Sequence, residues 1–307
     1  MMGNGLKFDV SMTNQIWAKK VRQDLRSLVC DSLLLDIPES LRLQLALQRS
    51  VLRFLAQNPK RLESMIERPD ASLPLGKWFE RVFLAALQIT FPSAQIHHSV
   101  PDGLGGELDF IVRDGGSCWH IECAVKFYLR LRSQGSALDS FVGPGGRDRL
   151  DLKYAKMRDV QLRRDIPGIQ SMDRVIRVLW MSGRILLPID PNITLRESWP
   201  PPLNESAICG LWASFQDFKK MIRDEWVIRV LPRQWWCTSL AGFSQEEVEI
   251  FTVFDPDVQS VDPMMVVALT LDQGRVIESL RVLCISDSAR HASNSNLNTT
   301  NGPSRSV

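Results

Sequence analysis

The amino-acid sequence predicts an α/β protein, because its central part reads in order as helix, three strands, helix and strand. The stretch SLPLGKWFERVFLAALQIT, residues 72–90, places Trp78, Val82 and Ala85, and again Phe79, Phe83 and Ala86, at three- and four-residue steps, the period of a well-buried helix. AQIHHSV and the two halves of GELDFIVRDGGSCWHIECAVKFYLR then read as strands, the last two joined by Gly115-Gly116. Finally, GPGGRDRLDLKYAKMRDVQLRRD gives a loop and a helix, and DRVIRVLWM an apolar strand. A helix crossing between the third and fourth strands makes those two parallel, with a right-handed connection.

The flanks divide around this core, residues 71–183. Residues 1–70 form a helical N-terminal region in which PESLRLQLALQRSVLRFLAQN starts at Pro38 and Ser40 and ends at Asn58. Asn58-Pro59 supplies the cap and first residue for a further helix, KRLESMIER, and Lys19, Lys20, Arg22 and Arg26 read as a solvated helix face. Residues 184–286 read as a mixed α/β extension packed on the core. It contains a helix, SFQDFKKMIRDEW, and a strand pair, MMVVALTL and VIESLRVLCI, around DQGR. Trp235-Trp236 signals packing there. The polar tail 287–307 reads as disordered.

With 44% hydrophobic residues in 307, a core needs no disulfide support. The net charge of +2 is too small to indicate a polyanionic partner by itself, so any basic surface must be local. The 6 cysteines show no C-x-x-C pair and no histidine at ligand spacing, which favours reduced thiols and argues against zinc. The start lacks a signal-peptide core, and the longest apolar run, MMVVALTL, is far short of the ~20 residues a membrane helix needs. The expected compartment is the cytoplasm.

Chemistry concentrates in the hairpin. A two-residue turn at Gly115-Gly116 pairs Asp114 with Ser117, and the same register sets Asp109 opposite Glu122. Leu108, Phe110, Val112, Trp119, Ile121, Cys123, Val125 and Phe127 line one face, the core. Glu107, Asp109, Ile111, Arg113, His120, Glu122, Ala124 and Lys126 line the other. Opposed like charges are destabilising. A divalent cation shared between the two carboxylates turns that repulsion into chelation. Glu80, on the helix ahead of the sheet, is a candidate third acid, although periodicity alone pairs it with Lys77 or Arg81 at the surface. Carboxylates holding Mg²⁺, with a lysine beside them, suit phosphodiester hydrolysis.

With Glu80 in LGKWFERVF, Asp109 in GELDF, and Glu122 and Lys126 in HIECAVK, residues 72–182 resemble the αβββαβ core of the PD-(D/E)XK nuclease superfamily, a restriction-endonuclease-like fold. More narrowly they resemble a bacterial family of uncharacterised proteins placed in it. The resemblance implies Asp109 and Glu122 as metal-binding acids and Glu80 as an auxiliary one. It departs at the lysine: Ala124 stands at the expected position, and Lys126 lies two residues further along the same face. Pro101-Asp102 is a decoy, since Asp102 precedes Gly103 and suits a turn. By the same resemblance Gln161 is a possible auxiliary residue of the site. His120, on the polar face beside Glu122, reads as a structural hydrogen bonder.

Arg149, Lys153 and Lys156 form a basic stripe opposite Leu150, Tyr154 and Met157, either a solvated face or a track for nucleic acid. GPGG ahead of them could offer backbone N–H groups to a phosphate, or be an ordinary loop. No Walker motif, no G-x-S-x-G elbow and no histidine triad competes. The expectation is a Mg²⁺-dependent nuclease, with Mn²⁺ a possible substitute, acting on DNA before RNA. The alternative is a nuclease-fold module without chemistry that binds nucleic acid or serves as a scaffold. The C-terminal extension is a possible surface for a protein partner.

Overall fold

The computed structural model describes residues 14–58, 61, 65–68, 72–131, 137–168, 174–189, 199–255, 260 and 262–286. The expected disorder of 287–307 and residues 60 and 62–64 of the helix placed on KRLESMIER lie outside the described residues; where that segment is described, at 61 and 65–68, it is turn, bend and irregular chain instead of helix. Three long helices come first: α1 (Asn14–Cys30), α2 (Pro38–Gln57) and α3 (Leu75–Thr90). Helix α2 begins with Pro38 in its first turn, where a missing N–H costs nothing, after an extended Ile37. Helix α3 buries Trp78, Phe79, Val82, Phe83, Ala85, Ala86 and Leu87, the face expected from its period.

The strands are β1 (Gln95–Pro101), β2 (Glu107–Asp114), β3 (Ser117–Arg130), β4 (Phe141–Val142), β5 (Arg174–Pro188), β6 (Ile208–Ser214), β7 (Val227–Leu231), β8 (Thr252–Val253), β9 (Met264–Asp272) and β10 (Arg275–Ile285). They form one mixed sheet in the order β1-β2-β3-β5-β6-β10-β9-β7-β8, with the short β4 paired to β3. The remaining helices are α4 (Leu150–Asp159), α5 (Phe215–Lys219) and α6 (Gln245–Val248). Among the described residues no helix is long and apolar enough to cross a membrane.

The hairpin has the anticipated register: Asp114 pairs with Ser117 and Phe110 with Ile121. Gly115 and Gly116 take φ of 52° and 81°, the two left-handed positions that such a turn requires. Strands β3 and β5 run parallel from Ser117↔Arg174 to Leu129↔Leu186. One face of this region, Phe110, Val112, Ile121, Cys123, Val178 and Trp180, packs on α1–α3. Phe83 anchors the contact, its ring centroid 5.3 Å from that of Phe110 and 5.0 Å from that of Trp180. The opposite face, with Tyr128, Leu179, Met181 and Ile185, receives Leu150 and Met157 of α4 and Leu162.

Four further points differ from the sequence expectation. Leu108 packs with Ile111, Cys118 and Ile166 instead of joining Phe110. Lys20 is fully buried, not solvated, because the face of α1 that carries it is covered by α3 and by the C-terminal region. The helix anticipated over 214–226 is only the short α5. Strand β5 continues past Gly183 to Pro188, so the C-terminal strands extend the same sheet.

Candidate metal and nucleic-acid site

Asp109 and Glu122 meet where β2 and β3 part. Their ladder ends at Phe110↔Ile121. Beyond it the Cys123 N–H donates to Asp109 Oδ2 at 2.8 Å instead of to a β2 carbonyl, so the aspartate side chain lies in the fork. Burial, then the nearby Glu122 and Glu80 charges, push the Asp109 carboxyl up to about 7, against the pull of the Cys123 N–H and Lys153. Asp109 therefore feels two other carboxylate charges, opposed by that of Lys153.

Glu122 is inaccessible to solvent, as is His120 two residues earlier. Glu122 Oε1 accepts from His120 Nε2 at 3.0 Å and Oε2 from Gln161 Nε2 at 2.8 Å. Gln161 sits in a 3-10 turn, Gln161–Arg163, directly after α4, so the crossover helix does cover the polar face. Arg177, paired with His120 across β3 and β5, places Nη1 3.1 Å from His120 Nδ1. The other Nη1 hydrogen goes to the Leu162 carbonyl at 2.5 Å, with the Arg164 carbonyl 3.3 Å away sharing it. Arg177 was missed at the sequence level. Its signal, an arginine inside an apolar strand, gains meaning only once the register opposite His120 is known.

The other candidates are distributed around this centre. Glu80 is part-exposed and bonds Lys77 at 2.8 Å, one of the two pairings periodicity suggested, while its charge still acts on Asp109. Lys126 pairs with Asp148 at 2.5 Å. Lys153 is brought near the acids instead: burial lowers its pKa first, Lys126 adds to that, and Asp109 opposes it. Arg149 is held in a two-point pair by Asp151, at 3.0 and 2.6 Å, and Lys156 is exposed. In the GPGG loop, the Gly143 and Gly146 N–H groups are already bonded to Asp148 and Gly143 carbonyls. A cleft of about 650 Å³ beside Lys126 is lined by Gly143, Pro144, Gly145, Arg147 and Asp148. Asp102 accepts N–H bonds from Leu104 and Gly106, each at 2.8 Å, which is the turn role expected of it.

Among the described residues no group of three or more His, Cys, Asp or Glu side chains is disposed to hold a metal ion. The donor set at the fork is two carboxylates, and Mg²⁺ is typically held by one or two carboxylates with water completing its shell. Gln161 Oε1, on the amide that bonds Glu122, is buried without a partner, an acceptor available to a metal-bound water. Oxygen donors, excess negative charge and an unused acceptor fit a hard cation.

Residues 23–285 match the model of a family described as "Domain of unknown function (DUF1853)". Searches of curated proteins and of solved structures found no match. Since the matched span runs from within α1 to the end of β10 and takes in the fork with both its acids, the chain belongs to the DUF1853 family.

Proposed function

We propose that the protein is a metal-dependent nuclease that hydrolyses phosphodiester bonds in DNA, with RNA the second candidate substrate, on a PD-(D/E)XK-type site. The observation that carries this reading is the convergence of Asp109 and Glu122 at the β2–β3 fork, with the Asp109 carboxyl pushed up to about 7 by burial and by its acidic neighbours. Asp109 and Glu122 would hold the Mg²⁺, with Glu80 near enough to add charge. Bound there, the ion would lower the pKa of a water and offset charge on the phosphate.

The chain's own residues do the rest. Glu122 is fixed by two N–H donors, so its carboxylate presents one orientation. Lys153 supplies the positive charge beside Asp109 and is suited to meeting a phosphate oxygen. Lys126 and Arg147 border the cleft, and the exposed Lys156 extends the positive surface along α4.

A second reading, a nucleic-acid-binding or scaffold module without chemistry, is favoured by one observation. Lys126 is paired with Asp148, and Ala124 occupies the position where the resemblance expects a lysine. Incubating the protein with single- and double-stranded DNA and RNA in Mg²⁺ or Mn²⁺ separates the two. Cleavage that disappears in both Asp109→Ala and Glu122→Ala supports the nuclease. Absence of cleavage together with no cation-dependent gain in stability defeats it, as does cleavage that survives both substitutions.

A further inference from the structure

We infer that Arg177 is a positioning residue for the acidic site, acting on Glu122 through His120. A guanidinium has donors and no acceptor, so one of the two Nη1 hydrogens faces His120 Nδ1, 3.1 Å away, while the other is taken by the Leu162 carbonyl and shared with that of Arg164. With Nδ1 accepting, the ring's N–H is on Nε2, and it points at Glu122 Oε1, 3.0 Å away. The tautomer is thus set by a residue that never touches Glu122. Neither ring atom has water as a substitute partner, because His120 and Glu122 are both 0% exposed.

Arg177 acts on the second donor too. Its Nη1 also reaches the Leu162 and Arg164 carbonyls, one within the 3-10 turn and one just after it. That turn carries Gln161, whose amide fills Glu122 Oε2. One side chain on β5 therefore anchors both groups that orient Glu122: the imidazole from β3 and the amide from the turn. Without Arg177, His120 Nδ1 and two carbonyls lose a donor at once, and the ring becomes free to carry its proton on either nitrogen.

The effect on cation binding rests on the metal-site reading above, whereas the tautomer claim stands independently of it. Both are measured in one set of variants. Long-range ¹H–¹⁵N spectra of the metal-free wild type should show His120 protonated on Nε2 alone, and Arg177→Met should show a mixture. Mn²⁺ titrated calorimetrically should bind Arg177→Met about tenfold or more weakly than wild type, the scale on which such outer partners act. Arg177→Lys keeps the charge but not the fork of donors and should fall between. His120→Gln, whose amide N–H can replace Nε2–H, should retain Mn²⁺ affinity better than His120→Leu. The gap between these two remains readable if Arg177→Met fails to fold. A wild-type ring protonated on Nδ1, or equal Mn²⁺ affinity in folded wild type and Arg177→Met or in the two His120 variants, overturns the inference. A wild type with the Nε2–H ring that binds no Mn²⁺ overturns the metal-site reading and the cation-binding role of Arg177, leaving only the tautomer assignment.

Discussion

Asp109 is the residue at which burial and charge act together, and the outcome is measurable as a pH dependence. Its carboxyl rises from an ordinary 3.8 to about 7 through burial first and then through Glu122 and Glu80. Below about pH 4 the group is protonated in folded and unfolded chains alike and has no net effect. Between there and about pH 7 the folded chain keeps a proton that the unfolded chain releases, so stability falls as pH rises, and above pH 7 the loss is complete. At roughly 1.4 kcal/mol per pH unit the ceiling is about 4 kcal/mol, and partial exposure reduces it. In urea melts with EDTA, Asp109→Asn should lose about 1–3 kcal/mol less than wild type between pH 5 and pH 8. Parallel profiles for the two proteins would remove Asp109 as the source. Gly183 is a second decisive residue. A Cβ there would lie 1.7 Å from the Lys126 carbonyl oxygen, on a backbone whose φ is +129°. Gly183→Ala should cost about 3 kcal/mol or more in the same melts, because backbone on both strands has to move. The register of the hairpin was legible in the sequence, since a two-residue turn fixes it, but the parting of the strands just before Asp109 and Glu122 was not. The partners of Lys126 and Lys153 were not, because the reach of a long side chain depends on where α4 settles over the sheet.

At the scale of elements, α1 shows how a charge pattern can mislead. Lys20 reads as part of a solvated stripe, yet it is sealed against Asp24, and its ammonium stands 4.4 Å from the Trp78 ring centroid and 5.1 Å from that of Trp235. Asp24 also accepts from Trp78 Nε1 at 2.8 Å and from Thr238 Oγ1 at 2.5 Å, joining α1 to α3 and to the C-terminal region. Burial lowers the Lys20 pKa while Asp24 holds it up, so the ammonium depends on its partner. Asp24→Ala should destabilise by about 3–5 kcal/mol, as removal of one member of a buried pair does. Lys20→Met with Asp24→Ala should cost less than Asp24→Ala alone, since the stranded charge is gone. Additive costs in a denaturant double-mutant cycle would refute the coupling. Helix α4 lies at the other extreme. Of its residues only Leu150 and Met157 are buried, so the element that brings Lys153 to the acids is held by few apolar contacts. Its amides should exchange with deuterium faster than those of β3 and β5, and a divalent cation should slow them if Lys153 and the acids share a site. Equal protection in α4 and β3 would contradict this. The helix itself was legible from its apolar spacing, but α5 was not, since Phe215 and Phe218 suggest a period that lasts barely more than one turn.

For the molecule as a whole, the sheet sets the unit of folding. The boundary at residue 183 drawn from the sequence falls inside β5, a strand that pairs with β3 through Leu129↔Leu186 and then with β6 from Ile185 onward. Nothing in the local pattern of DRVIRVLWM reveals this, because the continuation SGRILLP pairs with β6, a strand more than twenty residues later. The insertion of β6 between β5 and β10, parallel to both, is likewise set by long-range pairing that no local period encodes. The two halves are further bound by side chains: Phe127 meets Trp236 edge to face at 5.3 Å, and Trp212 Nε1 bonds the Arg130 carbonyl at 3.0 Å. A fragment of residues 71–183 would remove the rungs opposite Phe127, Tyr128 and Leu129 and uncover an apolar edge strand. It would also lack α1 and α2, which cover the other face. That fragment should bind the dye ANS and melt without a cooperative transition, whereas residues 14–286 should unfold in a single transition with coincident fluorescence and circular dichroism. A sharp, independent melt of 71–183 would show instead that the acidic fork belongs to a self-sufficient core. The β6–β10 half of the sheet would then be an appendage rather than part of the scaffold that holds Glu122 in place.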